Sequence, residues 1–153
     1  MRLSEHFTLE EFTKSQTALR RGIINKPNQS AIDNMERLAI GILESVREHY
    51  GIPFSPSSGY RCPALNSAVG SRPTSQHIWG EAVDFEVPGV SNVVLAHWIA
   101  ESLIFDQLIL ECYNPAEGPN SGWVHCSLKA DNNRGRILTI TKNEISQGLP
   151  TID

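Results

Sequence analysis

The chain has 153 residues, 40% of them hydrophobic and 20% charged, with a formal net charge of -4. That length supports one domain with a real core, expected to span residues 1–153. The acidic balance argues against nucleic acid as the partner, since phosphate binding wants a basic face, and no apolar run approaches the roughly 18–20 residues that span a bilayer.

Met1 to Phe7 carries no apolar h-region, so the sequence predicts no secretory signal and synthesis in the cytoplasm. Thr8-Leu9-Glu10-Glu11 has the TxxE form of a capping box and is expected to open a short helix ending near Gly22. A turn over Asn25–Asn28 precedes the clearest helix, which the sequence starts at Ser30. Ile32, Met35, Leu38, Ala39, Ile42, Leu43 and Val46 recur there at helical spacing, and Gly51 stops it. This helix reads as scaffolding.

After Pro53 the pattern changes. Ser57 to Arg61 reads as a short strand running into a loop, Pro63 to Val69 as one or two helical turns ending at Gly70, and Ser71 to Ser75 as a polar loop. Ala82 to Val87 alternates, with Val83, Phe85 and Val87 on one face and Ala82, Asp84 and Glu86 on the other. Ser91 caps a helix reaching about Leu103. Strands follow at Asp106–Glu111 and Gly122–Leu128, joined by a hairpin loop rich in Pro, Gly and Asn, then at Arg136–Thr141. The tail after Asn143 is expected to be irregular. Helices first, then mostly antiparallel strands with one helix inserted, make an α+β fold.

The three cysteines, Cys62, Cys112 and Cys126, form neither a disulfide framework nor a CxxC zinc pair, and are expected to be reduced and mostly buried.

The chemistry concentrates in His77, Asp84 and His125. Two imidazoles and one carboxylate are the N/O set that hydrolytic zinc takes while keeping a fourth position open for water. If Val83 and Phe85 face the core, Asp84 faces the cleft, where the His77 loop can fold back over it. His125, in an apolar strand, would by itself be an ordinary hydrogen-bonded histidine; the first pair makes it a ligand candidate. Arg61 could fork onto a substrate carboxylate or a developing oxyanion. Glu111 ends an apolar strand and, if the hairpin sets it beside His125, can act as general base. Glu117 and Asp106 are alternatives for that role, and Glu81 is expected to point away. His6, His49 and His97 read as structural or surface residues. Trp79 and Trp123 read as core or as the lining of a groove.

At these residues the chain resembles the zinc D-Ala-D-Ala carboxypeptidase family, which includes D,D-dipeptidases and phage endolysins. Ser75, His77, Gly80, Ala82 and Asp84 match the family's Ser-x-His-x-x-Gly-x-Ala-x-Asp pattern. Ser58-Gly59-Tyr60-Arg61 matches its Ser-Gly-aromatic-Arg segment, and Trp123-Val124-His125 the segment with the third ligand. Phe7 to Phe12 and Phe105 to Glu111 look like a phage- and prophage-associated branch. The resemblance covers roughly residues 5 to 130.

It implies a D,D-peptidase- or hedgehog-like zinc site in which His77, Asp84 and His125 hold one Zn2+ ion. Arg61 would bind substrate and assist the transition state, and Ser75 and Gln76 would contact substrate or orient a ligand. The implied reaction is hydrolysis of a peptide bond in peptidoglycan, of the D-Ala-D-Ala carboxypeptidase or the L-Ala-D-Glu endopeptidase type, by a monomer with neither nucleic acid nor membrane as partner. A chain without a signal would reach the wall through a holin or as part of a phage particle.

One position departs from the pattern. Several family members carry an acidic base three residues before the third ligand, where this chain has Gly122. Glu111 is the substitute expected from strand geometry. Gly122 also sustains a second reading, a catalytically silent zinc module that binds cell wall or builds a phage particle, and the expected lack of a signal is compatible with a third and weaker one, an intracellular dipeptidase.

Overall fold

The computed structural model describes residues 1–152. The capping box at Thr8 forms as the sequence predicts, with Glu11 N–H bonded to the Thr8 hydroxyl and the Glu11 carboxylate returned to Thr8 N–H. The helix it opens is shorter than expected. α1 (Leu9–Thr13) stops where Lys14 turns extended, and Ser15 caps a second helix, α2 (Gln16–Arg21), which ends at the left-handed Gly22. A serine hydroxyl that accepts Ala18 N–H offers a fresh start that the apolar spacing does not reveal.

The scaffolding helix begins at Asn28, whose side chain accepts from Ala31 N–H, so the cap lies two residues before the expected Ser30. It runs as α3 (Gln29–Leu38), a π-helical segment (Ala39–Leu43) and α4 (Glu44–Tyr50), closed by Gly51 in the left-handed region. Met35, Leu38, Ala39, Ile42, Leu43 and Val46 are fully buried, so the apolar stripe crosses the π segment unbroken.

Beyond it come α5 (Pro63–Ala68), β1 (Ala82–Phe85), α6 (Asn92–Ser102), β2 (Gln107–Glu111), β3 (Trp123–Ser127), β4 (Arg136–Ile140) and β5 (Ile145–Gln147). One five-stranded sheet has the order β1-β3-β2-β4-β5. All neighbours are antiparallel except β2 and β4. That exception follows from the connection. β3 ends beside the start of β2, and the loop after Leu128 crosses that start, where Gly135 and Arg136 N–H bond to the Phe105 and Asp106 carbonyls, so β4 sets off in the direction of β2.

Three expectations are corrected. The tail is not irregular, because Ile145–Gln147 pairs with β4. Ser57–Arg61 is no strand; it contributes a single bridge, Ser58 to Asp84. Of the cysteines only Cys126 is buried, while Cys62 is half-buried and Cys112 exposed at the hairpin end with φ of 52°.

The pleat sorts the sheet into two faces. Val83, Phe85, Leu108, Val124 and Cys126 pack into the core shared with α3 and α6. On the opposite face Asp84, His125, Ile109 and Leu138 form one row across four strands. That face carries the candidate site. Among the described residues no helix is long and apolar enough to cross a membrane.

Asp106, considered above as a possible base, is committed elsewhere. It is fully buried and accepts from Arg134 N–H, Nε and Nη2 at 3.0, 3.1 and 2.7 Å, with Lys129 Nζ 3.5 Å away. Burial opposes its charge, but the hydrogen bonds from Arg134 prevail and hold its pKa down to about 2. A carboxylate whose pKa is lowered by folding stabilises above its unfolded value and loses that contribution as pH falls towards the folded one. Asp106→Asn is therefore expected to cost about 2 kcal/mol at neutral pH and to flatten the decline in stability between about pH 4 and pH 2. Urea denaturation across that range checks both, and an unchanged acid limb would remove Asp106 from the account.

Candidate metal centre

The residues of the Ser75–Asp84 motif act first on the backbone. Ser75 Oγ accepts His77 N–H at 3.3 Å and opens a one-turn 3-10 helix, Gln76–Trp79. Gly80 ends it at φ of 74°, where a Cβ would stand 2.5 Å from the Ala31 carbonyl oxygen, so only glycine fits this close approach to α3. Ala82 is fully buried opposite Ser127. The chain then delivers His77 and, two residues beyond Ala82, Asp84 to the same side.

The Ser58–Arg61 segment fixes them from the other flank. His77 Nδ1 lies 2.6 Å from the Gly59 carbonyl oxygen. A carbonyl only accepts, so Nδ1 holds the proton and Nε2 presents its lone pair. Arg61 N–H bonds to the His77 carbonyl, and Asp84 N–H to the Ser58 carbonyl at 2.8 Å.

His77 Nε2 and His125 Nδ1 lie 3.4 and 2.9 Å from Asp84 Oδ1. One ligand atom from each of the three side chains falls within 4.8 Å of the others, and all three residues are buried. Ligands about 2.0–2.1 Å from a tetrahedral zinc stand about 3.3–3.4 Å apart, so the spacing suits one ion. The protonation states suit it as well. Burial pushes the His77 imidazolium pKa below its ordinary value against the pull of Asp84. Burial opposes charge on Asp84 too, but the two imidazoles that face it, His125 first, outweigh this and hold its carboxyl well below the usual range. A carboxylate and a neutral imidazole are the forms that bind metal. Among the described residues no fourth Asp, Glu, Cys or His joins the group, which leaves a coordination position for water or substrate.

Arg61 stands beside this cluster, with Nη2 3.7 Å from Asp84 Oδ2. Its Nε donates to Ser58 Oγ and its Nη1 to Asn66 Oδ1 at 3.1 Å. It opens with Ser58 and Tyr60 on a separate recess.

Glu111 sits on the sheet face of His125, opposite Trp123 and diagonal to His125. Both line one cleft of about 600 Å³ whose far wall includes Ser75 and Gln76. Burial raises the Glu111 pKa, and the nearby charge of Asp84 adds to this while His125 and Arg61 oppose it. Gly122 cannot take the acidic role. It has φ of 70°, and a Cβ there would stand 2.0 Å from the Glu111 carbonyl oxygen. The hairpin closes so tightly onto Glu111 that the neighbouring position must be bare.

The other candidates lie outside the cluster. Glu117 is exposed in the hairpin loop, and Glu81 is half-buried beyond the 3-10 turn. His6 bonds to Glu44, His49 stacks on Trp98 and His97 reaches the Pro150 carbonyl. Trp79 is exposed rather than core. Trp123 is half-buried with its Nε1–H lacking a partner.

Three asparagines escaped the sequence reading. Asn66, 2% exposed, grips Arg61 and the Arg72 carbonyl. Asn25 bonds to the Tyr60 carbonyl and Cys62 N–H. Asn92 donates to the Asn120 and Gly122 carbonyls, tying the hairpin loop down ahead of His125. An amide in a loop or a first helical turn carries no sequence signal of such a clamp.

Residues 5–127 match a family model described as Peptidase M15. No curated protein matches the chain.

Proposed function

Because the chain belongs to the peptidase M15 family, and so to the metallopeptidases, we propose that it is a zinc-dependent peptidase that hydrolyses peptide bonds in peptidoglycan stem peptides or cross-bridges, of the D-Ala-D-Ala carboxypeptidase or the L-Ala-D-Glu endopeptidase type, acting as a single-domain monomer. The observation that carries this reading is Asp84 facing both imidazoles on the open sheet face that also holds Glu111. His77 through Nε2, Asp84 through its carboxylate and His125 through Nδ1 would hold the ion. Zinc bound there supplies a Lewis acid and an acidified water.

The protein's own groups then divide the work. Glu111, its pKa raised by burial, takes a proton from the water and returns it to the leaving amine. Arg61, held by Ser58 and Asn66, keeps a cationic guanidinium beside Asp84 for the developing oxyanion. Ser75 orients His77 through its backbone, and Gln76 meets substrate at the cleft rim.

The cleft runs from His125 to one side of the metal row, which gives a stem peptide room there and suits the carboxypeptidase and the endopeptidase type alike. The segments 7–12 and 105–111 support the phage-associated branch, with access to the wall on release from the host. Glu111 on the metal face disfavours the silent module.

Purified protein is expected to bind one equivalent of zinc and to release peptides from purified peptidoglycan in a chelator-sensitive manner, with fragment masses naming the bond. Bound zinc with no release from any wall type would establish the silent module instead. Absence of zinc would undo the ligand assignment.

A further inference from the structure

The cleft beside the metal row has a charge of its own. Its floor is the open sheet face, where Ile109 and Leu138 continue the row of Asp84 and His125. Ile140 and Ile145 carry an apolar flank out to β5. At the opposite end of the same face stand Arg136, paired in register with Gln107, and Arg134; Arg72 faces them from the far wall. Glu111 is the one acidic residue of the lining, so three arginines gather on a chain of net charge -4.

These arginines are not equivalent. Arg134 spends Nε and Nη2 on the buried Asp106, which neutralises it and fixes its plane. Arg72 and Arg136 have no acidic partner among the described residues. Two unpaired guanidiniums on facing walls of one cleft, beside a third locked in place, form a receptor for an anion with planar, paired acceptors. We propose that this end of the cleft is a carboxylate subsite, with Arg136 and Arg72 selecting substrates that carry a free carboxylate along the chain from the scissile bond. The proposal rests on the peptidase reading above.

The distance fits a peptide. Strands about 4.8 Å apart and residues about 3.3 Å apart put the backbone of Arg136 about 12 Å from that of His125, two strands across and two residues along. An extended peptide covers that in three to four residues, and fewer once the arginine's own reach is counted. The apolar flank at Ile140 and Ile145 would take a small aliphatic side chain at the other end, so the two ends also orient the substrate.

The test uses two synthetic stem peptides that differ only in whether the D-glutamate carboxylate is free or amidated. Zinc-loaded wild type is expected to prefer the free carboxylate, through KM rather than kcat. Arg136→Gln and Arg72→Gln should each shrink that preference at least tenfold, and Arg136→Lys should restore part of it. Arg20→Gln, which removes the same charge from the exposed surface of α2, should leave it unchanged. Calorimetric binding of both peptides to zinc-loaded Glu111→Gln protein gives the same comparison without turnover. Equal discrimination in wild type and Arg136→Gln, by rate or by binding, overturns the subsite. Wild type that binds the free-carboxylate peptide preferentially yet cleaves neither overturns the peptidase reading and leaves the subsite standing.

Discussion

Glu111→Gln is expected to keep its zinc, its fold and its KM while kcat falls by about 10²–10⁴-fold, the usual contribution of a positioned acid–base group. The amide preserves volume and polarity opposite Trp123, so packing against the hairpin is retained and only proton transfer is lost. The same variant should lose the acidic limb of the kcat–pH profile, which in wild type reflects a carboxyl displaced upward by burial. Metal analysis beside steady-state kinetics decides the matter. Hydrolysis at full rate with zinc in place would mean that another group moves the proton, and Gly122 shows that it does not come from the position three residues before His125.

Asp84→Ala should have the larger effect on the metal. Asp84 Oδ1 is approached by both imidazoles, and its removal takes away the one anionic donor and leaves only the two imidazoles to hold an ion. Outer partners of metal ligands are already worth about 10–100-fold in affinity, so loss of a ligand should exceed about 100-fold and abolish activity. Thermal denaturation with and without zinc provides the readout. An ion that binds only the folded state stabilises by about 4 kcal/mol at 1,000 times its Kd, and that gain should vanish in the variant. The zinc-free variant should stay folded, because the β1–β3 pairing at position 84 is made by backbone and Arg61 keeps Ser58 and Asn66. Retention of one tightly held equivalent would exclude Asp84 as a ligand.

How legible these features were in the sequence depended on their range. The strand alternation at Val83, Asp84 and Phe85 sets one side chain against two fully buried ones, and that local pattern correctly turned Asp84 away from the core. Glu111 could be placed beside His125 because a hairpin fixes its own register, and the two do share a face. The break at Lys14 and the strand at Ile145 were not legible. The first depends on one serine hydroxyl in place of a continuing helical turn, and the second on a partner, β4, that a three-residue segment needs before it becomes a strand. Asn25, Asn66 and Asn92 were invisible for a related reason, since each clamps backbone brought near only by the completed fold. The three arginines of the cleft, separated by as many as 64 positions between Arg72 and Arg136, come to line one cleft only in the completed fold.

The position of β1 has a consequence for solubility. It is the outermost strand on its side of the sheet, and an outer strand with free N–H and C=O groups recruits other chains. Here Ser57 and Ser58 occupy the outward groups of Asp84, with Ser57 N–H donating to the Asp84 carbonyl and Asp84 N–H to the Ser58 carbonyl. The segment that brings Gly59 to His77 and Arg61 to Asp84 therefore also shields the middle of this edge. Fraying of residues 57–61 would release His77 and Asp84 and bare this edge in one event, so loss of the metal is expected to go together with exposure of a strand open to pairing.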